Sequence, residues 1–235
     1  MLHNKYWNLS QSLIISCGIF LVFMATQSLV LFLMKPAELA ATTLVYENLA
    51  YSNLGLISSS SSLIGIALVV LFIYLKKNKI RDYLHLYFPT FRQTVQFLLI
   101  SMFLMLLMEF ISQYYPHLFD TDFVVKSYKH AKSLPLFYIG VVFLGPVFEE
   151  FLFRGFLFKS LELSIVGGHG AVFITAIIFS IIHIQYGLPI IICILFPIAI
   201  LLGYARLQSQ SLVLPILLHI INNLITCIVT HLELY

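Results

Sequence analysis

Charge is what this chain has least of. Only 10% of its 235 residues are Asp, Glu, Lys or Arg, against 60% hydrophobic, and the mean hydropathy is +0.99. So little charge excludes an ordinary soluble domain and indicates a polytopic membrane protein lying almost wholly within the bilayer. Cysteine is scarce too. Cys17, Cys193 and Cys227 lie in apolar segments without CxxC or ligand spacing, so they read as small buried hydrophobes, not a disulfide framework. No basic helix face or recognisable module supports nucleic acid as a partner. The zinc-protease signature HExxH is missing. Also missing are an internal repeat and a matched pair of broken helices, which argues against a transporter. No serine occupies a persuasive turn opposite a histidine, which argues against an intramembrane serine protease.

What remains is a series of long apolar runs. Residues 11–34 are too long for a signal-peptide core and read as a retained first span, so the faint cleavage-site look-alike at 36–40 is discounted. The second span, 52–75, contains five consecutive serines, Ser58 to Ser62. The apolar part after them is too short to cross alone, so the serines belong inside the helix, their hydroxyls returned to carbonyls. A third span, 91–115, is closed by Pro116 and carries Glu109, read as an interfacial acid. Residues 117–133, with Asp120, Asp122, Lys126, Lys129 and Lys132, suggest a short amphipathic helix or lid on the outer surface. The fourth span begins near Leu134 and should kink at Gly145-Pro146. Spans at 171–186, 188–207 and 212–230 follow, with Pro197 bending the sixth. The expected fold is all-α: a transmembrane bundle of about seven spans, one integral membrane domain. Its first part, 1–133, holds helices 1–3 and an outer loop; 134–235 holds helices 4–7.

The cluster Lys76-Lys77-Asn78-Lys79-Ile80-Arg81 is topological under the positive-inside rule. With it inside, the cytoplasmic side holds Lys5, Lys76, Lys77, Lys79, Arg81, Arg92, Lys159 and Arg206. The outer side holds only Lys35, Lys126, Lys129 and Lys132. The N-terminus is then cytoplasmic and the C-terminus external. Small size and the absence of targeting signals suggest a bacterial cytoplasmic membrane.

Against so little charge, Glu149-Glu150-Phe151-Leu152-Phe153-Arg154 stands out. One charged group at the centre of a helix in lipid costs roughly 2.5–3.5 kcal/mol, so three must face protein or water and neutralise one another. Glu150 and Arg154, four apart with the acid first, share a face as an ion pair. Glu149 is turned by about 100° from Glu150 and looks elsewhere. Two intramembrane histidines join it: His183 on the fifth span, and His219 on the seventh with Asn223 one turn on. Counted from the cytoplasmic boundary, Glu149, His183 and His219 lie at roughly 15, 19 and 12 Å depth. All three can meet at one level. Together they support hydrolysis: a glutamate as general base for water, a histidine to orient that water or carry the proton, and a second histidine with an asparagine amide for an oxyanion.

Glu149-Glu150-x-x-x-Arg154, Phe179-x-x-x-His183 and His219-x-x-x-Asn223, in that order on separate spans, resemble the CPBP family of type II CAAX prenyl endopeptidases and bacteriocin-processing (Abi) membrane proteins. Phe153-Arg154-Gly155 and Gly203-Tyr204-Ala205-Arg206 are similar to it as well. The likeness runs from about residue 134 to 230 and marks 134–235 as the catalytic core. It implies an intramembrane endopeptidase acting on a membrane-associated protein or peptide, with no cofactor. Glu149 would be the water-activating base, His183 its partner, and His219 with Asn223 the oxyanion site. Glu150 and Arg154 would be structural support. Two other readings stay open: a zinc hydrolase with Glu149, His183 and His219 as ligands, against which no carboxylate is available to support either histidine except Glu150, already occupied by Arg154, and a membrane protein that binds peptides or confers immunity without cutting. Nothing in the sequence fixes an oligomeric state or a substrate.

Overall fold

Among the described residues, seven long helices set the architecture: α1 (Leu9–Met34), α2 (Thr43–Leu75), α3 (Phe91–Tyr114), α4 (Leu134–Glu162), α5 (Gly167–Ile181), α6 (Leu188–Ser209) and α7 (Val213–Leu234). This computed structural model describes residues 6–35, 42–119 and 122–234; Lys5, the 36–40 stretch and Asp120 lie outside them. Among the described residues there is no strand, and six helices are long and apolar enough to cross a membrane. The chain is an integral membrane helix bundle.

The exception is α5. Its 15 residues reach about 22 Å, short of the roughly 30 Å of a hydrocarbon core. The span expected over 171–186 ends at Ile181. His183 leaves helical geometry (φ −101°, ψ 30°), and a 3₁₀ turn, Ile184–Tyr186, leads into Gly187, whose φ of 80° reverses the chain into α6. The His183 imidazole closes α5, because its Nδ1 donates to the Phe179 carbonyl one turn back at 2.7 Å. Non-helical backbone at such depth is tolerated only where protein buries it or it lines a wet cavity.

α4 is the central element. Half of its most apolar window is buried, compared with 6% for α1 and 11% for α3. It packs against α2 through small residues. A Cβ on Gly55 would fall 2.5 Å from the Phe137 backbone nitrogen, and one on Gly140 would fall 2.4 Å from the Gly55 carbonyl oxygen. Lipid supplies no hydrophobic drive between helices, so such close approach is the source of packing energy. Ser59, Ser60 and Ser61 return their hydroxyls to the carbonyls four residues back at 2.6–2.8 Å, while Ser58 reaches across to the Gly140 carbonyl at 2.9 Å.

The kinks take the form of π turns. Tyr138–Leu144 precedes Pro146, and Ile191–Leu195 precedes Pro197. Proline lacks an N–H and crowds the carbonyl a turn before it, and the wider turn makes room. A third π turn, Phe151–Leu157, follows the glutamates without a proline.

The two ends of the bundle differ. At one, Lys76 lies over Trp7 (4.6 Å), Lys159 over Tyr6 (5.3 Å) and Arg81 over Tyr87 (4.8 Å), and His85 joins the α6–α7 turn, accepting at its carbonyl from Leu212 N–H at 2.9 Å. At the other, the short helix Asp122–Lys129 covers the bundle, with Lys126 paired to Asp122 at 2.8 Å and the Tyr128 hydroxyl 3.2 Å from His231 Nδ1. Its Phe123 packs on Tyr186 with ring centroids 5.1 Å apart. Cys17, expected to be buried, instead faces outward from α1, where an apolar side chain meets lipid at no cost. Cys227 is buried.

Candidate active site

Glu150 and Arg154 are fully buried, and Arg154 Nη1 donates to Glu150 Oε1 at 3.0 Å. Arg154 Nη2 donates to the Ala199 carbonyl of α6, also at 3.0 Å, so the guanidinium ties two helices together. Its face lies 4.7 Å from the Phe179 ring. In these respects Glu150–Arg154 is the i,i+4 pair that the spacing requires. The same Glu150 oxygen also accepts from His219 Nδ1 at 3.0 Å. The expectation from sequence that Arg154 alone occupies Glu150 is corrected here: one carboxylate oxygen with two lone pairs serves both donors. His219 is fixed in ring orientation as a consequence, with Nδ1 as donor.

With Nδ1 engaged, His219 turns Nε2 towards Glu149, whose Oε2 is 3.8 Å away. That is too long for a hydrogen bond, yet one small molecule can touch both atoms. Glu149 retains 20% side-chain exposure while Glu150 has none, so the adjacent acids occupy different environments. Phe179 joins the two histidines: its ring centroid is 4.5 Å from that of His183 and 5.7 Å, edge-on, from that of His219. Because His183 donates through Nδ1 to a carbonyl, its Nε2 is the ring atom left to accept a proton or hydrogen bond.

Asn223 Nδ2 donates to the Val141 carbonyl at 3.0 Å. The π register explains this bond. Gly145 N–H donates to the carbonyl five residues back, Gly140, and the next donor in that register, to Val141, would be residue 146. Residue 146 is proline and has no N–H, so Asn223 supplies the missing one. An amide nitrogen carries two hydrogens, which leaves one for a ligand. Sequence reasoning missed Asn222 and, although Arg206 stood out as a charge and a motif letter, missed what Arg206 holds. Buried Asn222 accepts from Ser101 of α3 at 2.7 Å. Arg206, also fully buried, donates through Nε to the Arg154 carbonyl at 3.2 Å. A polar residue in an apolar run was the available signal for both, but their partners lie 121 and 52 residues away.

The zinc alternative meets an obstacle in this geometry. Glu149 and His219 approach each other, but among the described residues no three His, Cys, Asp or Glu side chains are grouped so as to hold a metal ion. Glu149, His183 and His219 are thus not drawn together into one ligand set in this arrangement.

Residues 131–225 match the family model described as type II CAAX prenyl endopeptidase Rce1-like. That segment contains all seven motif residues, from Glu149 to Asn223. Over 98 residues the chain is 29% identical to the membrane-embedded CAAX protease MroQ of Staphylococcus aureus (strain USA300), covering 40% of this chain and 38% of that protein. The chain thus matches under half the length of this curated relative. No solved structure matches it. The CPBP/CAAX protease family that the motifs resemble is the one this segment matches.

Proposed function

We propose that the chain is an intramembrane endopeptidase that hydrolyses a peptide bond in a membrane-associated protein or peptide. The observation carrying this reading is the 3.8 Å gap between Glu149 Oε2 and His219 Nε2, with His219 fixed from behind by Glu150. A fixed imidazole facing a separate carboxylate provides a base and a stabiliser on either side of one small space. Water in that space gives a proton to Glu149 as its oxygen attacks the scissile carbonyl. His183 Nε2 orients the same water. The carbonyl oxygen, now negative, accepts from Nε2–H of protonated His219 and from the second N–H of Asn223. Collapse breaks the C–N bond, and the proton on Glu149 passes to the leaving amine. Atoms and charge balance without a cofactor, and no step is routed through a metal. The bilayer around the bundle limits substrates to chains that approach along the membrane. The match to an endopeptidase family over 131–225 supports the assignment. The basic end of the bundle, by the positive-inside rule, is the cytoplasmic one, with the N-terminus inside a bacterial cytoplasmic membrane.

The test compares peptides released by cells carrying wild type and Glu149→Gln, followed by assay of purified protein on a candidate so found. Glu149→Gln and His183→Ala should abolish cleavage while folded protein persists in the membrane, and exhaustive chelation should leave wild-type turnover unchanged. Activity removed by chelator and restored by zinc, with one zinc per chain, would overturn the metal-free mechanism. Identical peptide profiles in wild type and Glu149→Gln would favour the binding or immunity reading.

A further inference from the structure

Away from the site, α3, α5 and α6 line an open groove of about 540 Å³, within the roughly 300–1,000 Å³ typical of ligand pockets. Its walls are apolar: Leu104 of α3, Phe173 of α5, and Phe196 and Ile200 of α6. Polar groups gather towards one end, where Gln96 and Gln208 present exposed side-chain amides. That end belongs to the basic side of the bundle. Arg92 is one turn beyond Gln96 on α3, and Gln93 Nε2 donates to the Gln208 carbonyl at 3.3 Å.

We infer that this groove seats one acyl chain of a phospholipid from the leaflet on the basic side. Three observations select that occupant. Phe196 and Gln208 are twelve residues apart on one helix, so the groove runs about 18 Å along α6, close to one leaflet of a core roughly 30 Å thick. Polarity is graded as in an amphiphile: amides and an arginine at the depth of ester and phosphate oxygens, hydrocarbon below. The lining offers few hydrogen-bonding groups below the amides, since the Tyr204 hydroxyl is already 3.2 Å from His169 Nδ1. A peptide laid along those walls would leave its backbone groups unpaired, whereas an acyl chain has none to satisfy.

The inference does not depend on peptidase activity, and its test needs no substrate. Full-length protein is extracted, washed in delipidating detergent and examined by native mass spectrometry for retained phospholipid. Wild type should keep one phospholipid that resists the wash. Ile200→Trp, which fills the groove, should lower retention about tenfold. Gln96→Leu, an exposed change at the rim that leaves packing intact, should lower it less. Phe103→Trp, on the exposed face of α3 outside the groove, should retain as wild type does. If Ile200→Trp fails to fold, Gln96→Leu against Phe103→Trp still decides. No resistant phospholipid on wild type, or equal retention in the rim, filled and control variants, would assign any lipid to the ordinary annular shell and overturn the proposal.

Discussion

α3 and α4 each carry acid within an apolar helix, and the two helices use it in opposite ways. Glu109 of α3 is exposed, five residues before the helix ends, and its Oε1 accepts from its own helix, from Gln113 Nε2 at 3.1 Å. Glu150 of α4 is fully buried and joins three helices through one oxygen: Arg154 on its own helix, which reaches on to α6, and His219 on α7. The residue type is the same. What differs is whether the surroundings supply donors that repay the loss of water. An acid near a helix end keeps access to the interface, while one in the middle must be built into a network.

The sharpest way to break this comparison is to remove one member of each set. Arg154→Ala leaves the Glu150 carboxylate buried with its counter-charge gone, a loss of about 3–5 kcal/mol. Glu150→Ala should cost as much, because it strands both the guanidinium and His219 Nδ1. Glu109→Ala should stay within about 0.5 kcal/mol of wild type, like other exposed substitutions. Unfolding in mixed detergent micelles, followed by helical circular dichroism, measures all three. Equal losses for Glu109→Ala and Arg154→Ala would show that burial does not separate the two acids.

The contrast also marks how far sequence carries. The Glu150–Arg154 pair is local, four residues on one helix, so spacing alone was enough. The serine run was legible for the same reason: apolar length required it inside α2, and i,i−4 hydroxyl bonding is a short-range habit. The Glu150–His219 bond spans 69 residues, and no local rule anticipates it. Phe179 was visible as a motif letter, four residues before His183, but not as the ring that touches both histidines and the Arg154 face. The fifth span was misjudged because hydropathy does not register backbone geometry: Ile182 to Tyr186 stay apolar enough to continue a helix, yet the chain turns there. Prolines 146 and 197 announced the kinks. That a side chain of α7 would repair one of them could not be read from either segment alone.

That repair supplies the next prediction, which divides one residue between two duties. Asn223→Ala removes the donor to Val141 and should destabilise the protein by about 1–3 kcal/mol, the cost of an unsatisfied buried carbonyl. On the proposed mechanism it also removes an oxyanion donor, lowering turnover by about 10²–10³. Pro146→Ala restores a backbone N–H at the position Asn223 compensates for. The double variant should therefore regain most of the stability and none of the turnover. Recovery of both would reduce Asn223 to a structural prop for α4; recovery of neither would show that the carbonyl was not what Asn223 satisfied.

The smallest expected effect lies at the basic end, outside the spans. His85 connects the α2–α3 loop to the α6–α7 turn, its Nδ1 donating to the Gln210 carbonyl at 3.2 Å. Burial pushes its pKa below the ordinary histidine value, and the positive charges of Arg206 and Lys159 push it further, with Glu162 opposing. The folded protein then holds fewer protons at this ring than the unfolded chain does. Stability from His85 is fully present above the unfolded value, about 6.5, and is lost as pH falls through the lower folded value. Wild type should lose thermal stability between about pH 8 and about pH 5. His85→Asn should lose less, since asparagine does not titrate and tolerates the left-handed backbone there (φ 55°). Lys159→Met removes one of the positive charges that hold the folded pKa down and should raise it, so that the loss begins to flatten at a higher pH. Parallel curves for wild type and His85→Asn would mean that the proton taken up on unfolding belongs elsewhere. The basic end would then be like the Glu109 face of α3, charged but without consequence for the fold.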